Sequence, residues 1–402
     1  MSDHNARFDE SGIDMTAEAL ANCPPGTFRI IDLRDEDAFA HGTLPGAVRV
    51  DPEDLTRCLA GDGAPSGDLA RDGAPAPIVL VCKYGLISRD AAVTLREMGM
   101  EAYSLEGGYG RWALYMIRRE ADDEALRREK CADIEKSIRK KYKHDLEGKF
   151  EKAVVQYELV EENDRIMVCI SGGKDSMLMA KLFQELKRHN KFPFSLEFVC
   201  MDPGYAPENR RIIEQNALLM GIPIQFFETQ IFDAVYNVEK SPCYLCARMR
   251  RGYLYRKAQE LGCNKIALGH HYDDVIETIL MGMLYSGQYQ AMMPKLRSTN
   301  FEGLELIRPM YLIREDNIKA WRDYNDLHFI QCACRFTDTC TTCRTDGTGV
   351  SKRMEVKNLI AELKKTNPQV EKNIFKSTEN VVLNKVLGYK IHGEKHSFLE
   401  DY

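Results

Sequence analysis

Short apolar runs of strand length recur along this chain, each followed by a segment whose apolar positions return every three or four residues. Four such runs come early, at residues 28–33, 47–50, 78–81 and 102–105. Four more follow a long gap, at 165–170, 196–201, 222–227 and 265–268. Strands that alternate with helices predict an α/β class with two doubly wound parallel sheets, and ligand sites beyond the strand C-termini. The expected layout is a first domain over 1–120, a helical linker over 121–160 and a second domain over 161–312. A helical C-terminal region over 313–402 follows, interrupted by a cysteine-rich loop at 332–343. Inside the first domain, residues 61–77 are rich in Gly, Pro, Ala and Asp and read as a flexible surface loop. No repeat of solenoid period is present.

At 402 residues the chain exceeds one ordinary core, in keeping with two or more domains. Its net charge of −6 is uneven: residues 1–120 carry 20 acidic and 12 basic side chains, the remainder 41 and 43. The acidic first part is a poor nucleic-acid binder, whereas the rest suits RNA where its basic residues share a face. The stretch 127–143 holds eight Lys or Arg against three Asp or Glu and reads as a helix, either a solvated face or an RNA surface. No apolar run approaches a membrane span, and the N-terminus has neither a basic region nor an apolar one. A cytoplasmic protein with no membrane role is therefore expected. Thirteen cysteines in such a setting point to metal or sulfur chemistry rather than to disulfides.

The run at 165–170 ends in Ser171-Gly172-Gly173-Lys174-Asp175-Ser176, and a helical pattern begins at Met177. Two glycines let backbone N–H groups turn inward, and a helix N-terminus favours an anion, so the string is a phosphate cradle. It is not the G-x-x-x-x-G-K-S/T of a Walker loop. It resembles the PP-loop of N-type ATP pyrophosphatases, of the adenine-nucleotide alpha-hydrolase fold. That resemblance implies cleavage of ATP to AMP and pyrophosphate, with the AMP activating a carbonyl oxygen for displacement. Ser171, Gly172, Gly173, Lys174, Asp175 and Ser176 would hold ATP, with Lys174 and Asp175 catalytic. Met201 and Asp202, at the end of the next strand, would contact adenine or ribose. Gly269-His270-His271-Tyr272-Asp273-Asp274 follows the strand at 265–268. Here Gly269, His270, Asp273 and Asp274 are candidates for phosphate and Mg2+, although the two aspartates can equally be simple helix-start charges.

Cys82 directly follows the strand at 78–81, and Lys83-Tyr84-Gly85-Leu86-Ile87-Ser88 leads into a helix. Loop N–H groups and a helix N-terminus lower a thiol pKa and stabilise a persulfide anion. Asp32-Leu33-Arg34, His41-Gly42-Thr43-Leu44-Pro45-Gly46-Ala47, the cysteine loop, and Leu105-Glu106-Gly107-Gly108 with Trp112 occur in rhodanese order. Residues of roughly 10–118 resemble a single rhodanese domain. The resemblance makes Cys82 the catalytic persulfide carrier, and Asp32 and Arg34 supports of its loop. Many rhodanese loops carry two arginines where Lys83 and Ile87 stand here, a departure that favours a protein persulfide, such as that of a cysteine desulfurase, at least equally with thiosulfate.

Pro242-Cys243-Tyr244-Leu245-Cys246-Ala247-Arg248-Met249-Arg250-Arg251-Gly252 opens a long helical pattern. Two cysteines three apart at a helix start suit a metal, an iron–sulfur cluster or redox exchange. Arg248, Arg250 and Arg251 suit anionic sulfur ligands or RNA phosphate. The PP-loop, this string, the Gly-His-His-x-Asp-Asp string and a later cysteine after Phe329-Ile330 together resemble the tRNA 2-thiocytidine synthetase family. The likeness covers about 145–335 well. It implies a 4Fe-4S cluster on Cys243, Cys246 and Cys332, with Cys334 the alternative third ligand. A zinc site on Cys334, Cys340 and Cys343, with Cys332, stays open. Lys352 and Arg353 are further candidates for RNA backbone contact. The implied activity is ATP-dependent sulfur insertion at C2 of a tRNA pyrimidine, a cytidine by the resemblance, with sulfur relayed from Cys82. The expected cofactors are ATP, Mg2+ and the cluster, the expected partners tRNA and a persulfide donor, and the expected assembly a homodimer. Two alternatives are another tRNA base or a small molecule as acceptor, and a sulfur- or redox-responsive ATP-binding protein.

Overall fold

A computed structural model of the chain describes residues 11–59, 76–189, 192–235, 242–330, 352–391 and 393–400. The first domain holds five parallel strands, β1 (Asp14–Met15), β2 (Arg29–Asp32), β3 (Val48–Arg49), β4 (Ile78–Val81) and β5 (Ala102–Leu105), in the order β1-β5-β4-β2-β3. Every residue of β4 is buried, as befits the central strand of a sheet covered on both faces. The helices are α1 (Ala17–Ala21), α2 (Glu36–Ala40), α3 (Leu55–Leu59), α4 (Leu86–Glu97) and α5 (Gly108–Ala121). From β2 the chain moves outward to β3, and from β4 it moves the opposite way to β5. Loops leaving the C-termini of β2 and β4 therefore diverge, and the crevice between them receives Asp32, Arg34 and Cys82.

Two helices follow, α6 (Glu124–Arg139) and α7 (Gly148–Gln156). They bury Ile134, Ile138, Phe150, Ala153 and Val154 in the core of the second domain, so this charged stretch has one apolar face pressed against the next sheet. Lys181, 1 % exposed, is tied to α6 through Glu135 at 2.8 Å, and Arg188 closes on the same carboxylate at 2.7 Å.

The second domain alternates β6 (Arg165–Ile170), α8 (Lys174–His189), β7 (Ser195–Asp202), α9 (Pro207–Leu219), β8 (Ile224–Glu228), α10 (Ile231–Val235), α11 (Pro242–Glu260), β9 (Lys265–Ala267) and α12 (Tyr272–Ser286). Two short strands, β10 (Lys295–Arg297) and β11 (Glu305–Ile307), complete a six-stranded sheet of order β10-β11-β9-β6-β7-β8, with β10 antiparallel. From β6 the sheet builds towards β8, and from β9 it builds the other way. The switch point falls between β6 and β9, so the turns after these two strands stand side by side. Helices α13 (Glu315–Tyr324), α14 (Lys352–Thr366) and α15 (Val370–Ser377) cover that end. A final antiparallel hairpin, β12 (Gly388–Ile391) and β13 (Glu394–Ser397), follows the helices of the C-terminal region. Its alternation is short and polar, and most of it is exposed, so no apolar period marks it in the sequence.

The two domains share a core. Leu114, Ile117 and Ala121 of α5 lie in the same buried cluster as Ile213 and Ala217 of α9. Arg322 of α13, 4 % exposed, donates to the carbonyl oxygens of His41 at 2.5 Å and Ala40 at 3.1 Å across the seam.

Candidate functional site

In the first domain, Gly85 adopts φ +84° and starts α4, which aims the N-terminus of that helix at the preceding cysteine. The Cys82 sulfur accepts from the N–H of Gly85 at 3.1 Å and of Ser88 at 3.3 Å, and the Ser88 hydroxyl lies 3.2 Å from it. Ser88 is in turn held by the Ser104 hydroxyl at 2.9 Å. This nest of donors stabilises a sulfur anion. Gly108, at φ +63°, backs the loop so closely that an added Cβ would sit 2.2 Å from the Cys82 carbonyl oxygen. Asp32 is fully buried and bonded by Arg34 at 2.6 Å and by Thr43 at 2.6 Å. Arg34 also donates to the Gly42 carbonyl and stacks on Tyr109 at 3.8 Å. These two residues brace neighbouring loops and do not reach the sulfur themselves. Around the buried Cys82, the side chains of Tyr84, Leu86 and Ile87 are exposed.

In the second domain, the cradle forms because Gly172 takes φ +82° and leaves no room for a side chain, since a Cβ would meet Ile213 at 2.4 Å. The Ser176 hydroxyl accepts from Ser171 N–H at 3.1 Å and donates to the Gly173 carbonyl at 3.0 Å, which locks the turn. Gly269 brings the turn after β9 against this loop, where a Cβ would lie 3.3 Å from the Ser176 nitrogen. Lys174 opens α8 and is 6 % exposed, with its ammonium 3.1 Å from Asp175 and 3.2 Å from Glu315. His271 caps α12 in a reciprocal box with Asp274, and its Nε2 is 4.0 Å from Asp175 Oδ1. His270 is pushed down to about 4 by burial, so it is a neutral imidazole at ordinary pH.

The expected ligands divide into those with free capacity and those already engaged. Asp175 Oδ1 and His270 Nδ1 are buried with no hydrogen-bond partner among the described residues. Asp273, by contrast, accepts from Glu315 N–H at 2.7 Å and pairs with Arg314 at 2.9 Å. Asp274 meets Arg353 at 3.2 Å, so Arg353 faces this site and spends its charge on carboxylates. Burial raises the Asp274 carboxyl, but His271 and Arg353 outweigh it and hold it below its ordinary range. Asp202 closes its own turn, accepting from Gly204 and Tyr205 N–H groups and pairing with Arg210 at 2.7 Å, while Met201 is buried in β7. Arg248 and Arg251 are exposed along α11, Arg250 stacks on Phe232 at 5.5 Å, and exposed Lys352 lies over Tyr285 at 4.9 Å.

Several site residues carry no motif. Glu315 gathers Lys174, Lys319 and Lys357 within 3.2 Å. Burial pushes the Glu315 carboxyl up, but the ammonium groups of Lys174, Lys357 and Lys319 hold it far below the usual carboxylate range. Glu277 stands 3.3 Å from Arg353, and burial lifts it to about 7. Glu371 fixes Arg314 at 2.5 Å. Their signal in sequence is one charged pair, Arg314-Glu315, straight after the apolar stretch at 310–313.

Of the cysteine set, Cys246 is half-buried against the core. The side chain of Cys243, and Cys332, Cys334, Cys340 and Cys343, lie outside the described residues. Among the described residues no three His, Cys, Asp or Glu side chains are gathered as a metal site. Ile330, the last described residue before the cysteine-rich segment, packs on the cradle, its Cδ1 2.9 Å from a Cβ built on Gly172.

A PP-loop domain profile matches residues 142–335, and a rhodanese-like domain profile matches 15–115. The tRNA-cytidine(32) 2-sulfurtransferase of Anaeromyxobacter dehalogenans is 34% identical over 256 residues, which cover 62% of this chain and 84% of that protein. The enzyme of the same name from Citrifermentans bemidjiense is 34% identical over 234 residues, covering 57% and 88%. The chain belongs to the tRNA-cytidine(32) 2-sulfurtransferase family. A solved structure, the U34-tRNA thiolase NcsA from Methanococcus maripaludis with its 4Fe-4S cluster, aligns with 61% of this chain and 81% of that one, at 22% identity and a TM-score of 0.47. Against these two tRNA-cytidine(32) 2-sulfurtransferases, 38% and 43% of the chain lie outside the matched part.

Proposed function

We propose that the chain is an ATP-dependent tRNA thiolase that replaces the C2 oxygen of a cytidine by sulfur and carries its own sulfur donor. The observation that supports this best is the pairing of two turns at one switch point. The Ser171–Ser176 cradle and the Gly269–Asp274 turn touch, with a buried lysine and spare acceptor atoms between them. Family membership supplies the substrate class.

ATP lies with its phosphates on the cradle N–H groups and Lys174, at the N-terminus of α8. The C2 oxygen of the base attacks the α-phosphorus, and pyrophosphate leaves. Sulfur then adds at C2 and AMP leaves with the oxygen. Fixed cationic groups at the α8 start stabilise charge on the phosphates as it builds, without reorganisation. Asp175 fits a phosphate-bound Mg2+, because one of its oxygens is buried with no hydrogen-bond partner among the described residues; Asp274 pairs with the same His271, and Asp273 is committed to Arg314 and α13. A 4Fe-4S cluster would be held by Cys243, Cys246 and either Cys332 or Cys334, and it would supply an open iron position for sulfide. Two cysteines at i and i+3 at the start of α11 have a spacing that fits that role. Cys82 accepts sulfane sulfur from a persulfide of a partner such as a cysteine desulfurase, and two electrons from a thiol reductant release it as sulfide. The exposed Tyr84, Leu86 and Ile87 around it suit a protein surface better than a small dianion. Fusion of the two domains raises the donor concentration at the acceptor.

The test is anaerobic turnover of the reconstituted full-length chain with ATP, Mg2+, sulfide and tRNA, followed by nucleoside mass spectrometry. The expected product is 2-thiocytidine, with one pyrophosphate released per sulfur added. Thiolation of a different base would replace the substrate, and ATP cleavage independent of any RNA would remove tRNA from the reaction.

A further inference from the structure

The nucleotide site has a neighbour that comes from the other domain. Helix α13 carries Glu315, Lys319 and Arg322 at i, i+4 and i+7, on one face. At its first turn Glu315 binds Lys174 of the cradle at 3.2 Å. One turn on, Lys319 binds Glu315 at 3.2 Å. Two turns on, Arg322 grips the carbonyl oxygens of His41 and Ala40. The first and last contacts of this stripe are separated by about 10 Å of helix. It therefore holds the end of α2, from the rhodanese-like domain, two helical turns from the contact between Glu315 and Lys174 of the cradle.

His41 stands at that point with one ring nitrogen committed. Its Nδ1 lies 2.6 Å from the Asp37 carbonyl oxygen, which can only accept, so in the neutral ring Nδ1 carries the hydrogen and Nε2 the lone pair. Burial lowers the His41 pKa, the Asp37 carbonyl and Glu315 act upward, and Lys174 and Lys319 act downward. The ring thus senses the same charges that surround the cradle. Asp37 in turn bears on Lys357, the third cation on Glu315.

We propose that His41 is a nucleotide-binding residue of the PP-loop site, supplied by the rhodanese-like domain, and that its Nε2 hydrogen-bonds the polyphosphate of ATP beside Lys174. An arriving polyphosphate brings negative charge among Lys174, Lys319 and His41. This favours the imidazolium, whose Nε2–H donates to phosphate oxygen. The inference rests on ATP occupying the cradle.

The experiment separates the two ring nitrogens in the full-length chain, with free sulfide as donor so that Cys82 plays no part. His41→Asn keeps a donor for the Asp37 carbonyl and removes Nε2, whereas His41→Gln keeps a donor near Nε2. The expected result is an ATP KM about ten-fold higher in His41→Asn with kcat nearly unchanged, and most of the loss recovered in His41→Gln. An unchanged KM in His41→Asn overturns the proposal. As a check that needs no variant to fold, the His41 imidazole resonance of the unmutated protein should move on addition of MgATP, and a signal that stays still while ATP binds refutes the contact. Absence of any ATP binding by the unmutated protein would instead refute the cradle reading, and this inference with it.

Discussion

Lys174 and Glu315 meet at 3.2 Å, the one from the turn after β6 and the other from the first turn of α13. Neither is more than 8 % exposed, so their charges are weakly solvated and depend on each other. Glu315→Gln leaves three lysines facing a neutral amide. Loss of one partner of a buried pair costs about 3–5 kcal/mol. The Glu315 carboxyl is held below its usual value of 4.5, so its stabilisation is present above that pH and fades as pH falls through the lower native value. Urea unfolding should therefore show a large gap between Glu315→Gln and the unmutated chain at pH 7, narrowing in acid. A constant gap at every pH would remove the ionic explanation.

Glu277 shows the opposite sign. Burial lifts its carboxyl to about 7 from an ordinary 4.5, so ionisation above that range opposes folding. The group is 6 % exposed, and the shift corresponds to roughly 2–3 kcal/mol of stability lost between pH 5 and 8. Glu277→Gln should raise the midpoint of thermal unfolding at pH 8 and change it little at pH 5. Equal effects at both values would place the cost in packing.

Gly108→Ala tests the sulfur loop. The new methyl would collide with the Cys82 carbonyl at 2.2 Å, in a backbone conformation side chains avoid. The sulfurtransferase rate from a persulfide donor should fall at least ten-fold, while pyrophosphate release with tRNA and free sulfide stays within two-fold. A normal transfer rate would mean that the loop tolerates displacement.

Cys82→Ala should abolish thiolation from a persulfide donor and leave thiolation from free sulfide intact. Equal loss with both sulfur sources would end the division of labour between the domains.

Anaerobically purified protein should carry about four irons and four sulfides with a visible chromophore, and Cys243→Ala should lose them. Zinc without a chromophore would convert the cysteines into a structural site and direct persulfide transfer.

Both sheets were legible because their central strands are largely buried and read as continuous apolar runs; β4 and β6 coincide with the runs at 78–81 and 165–170. The turns at Gly85 and Gly172 announced themselves through residues that tolerate positive φ. Strands β10 and β11 are three residues each and escape a period-two search. Glu315, Arg314 and Glu371 were illegible for another reason. Ordinary charged residues on amphipathic helices look like solvent faces, and only tertiary packing turns Glu315 towards Lys174 and Arg314 towards Glu371. Asp273 shows the converse: its motif suggests a cation ligand, and the fold spends it on Arg314 and a helix start.

The covalent border near residue 120 is not where the molecule divides. Because Leu114 and Ile117 are interior residues of the second sheet's core, excising the donor at that border would strip the acceptor of part of its own interior. Removing residues 1–120 therefore exposes an apolar scar on α9, and a protease that opens the seam endangers both halves. Donor and acceptor are accordingly expected to melt in one transition and to be degraded as one protein, so that neither activity outlives the other.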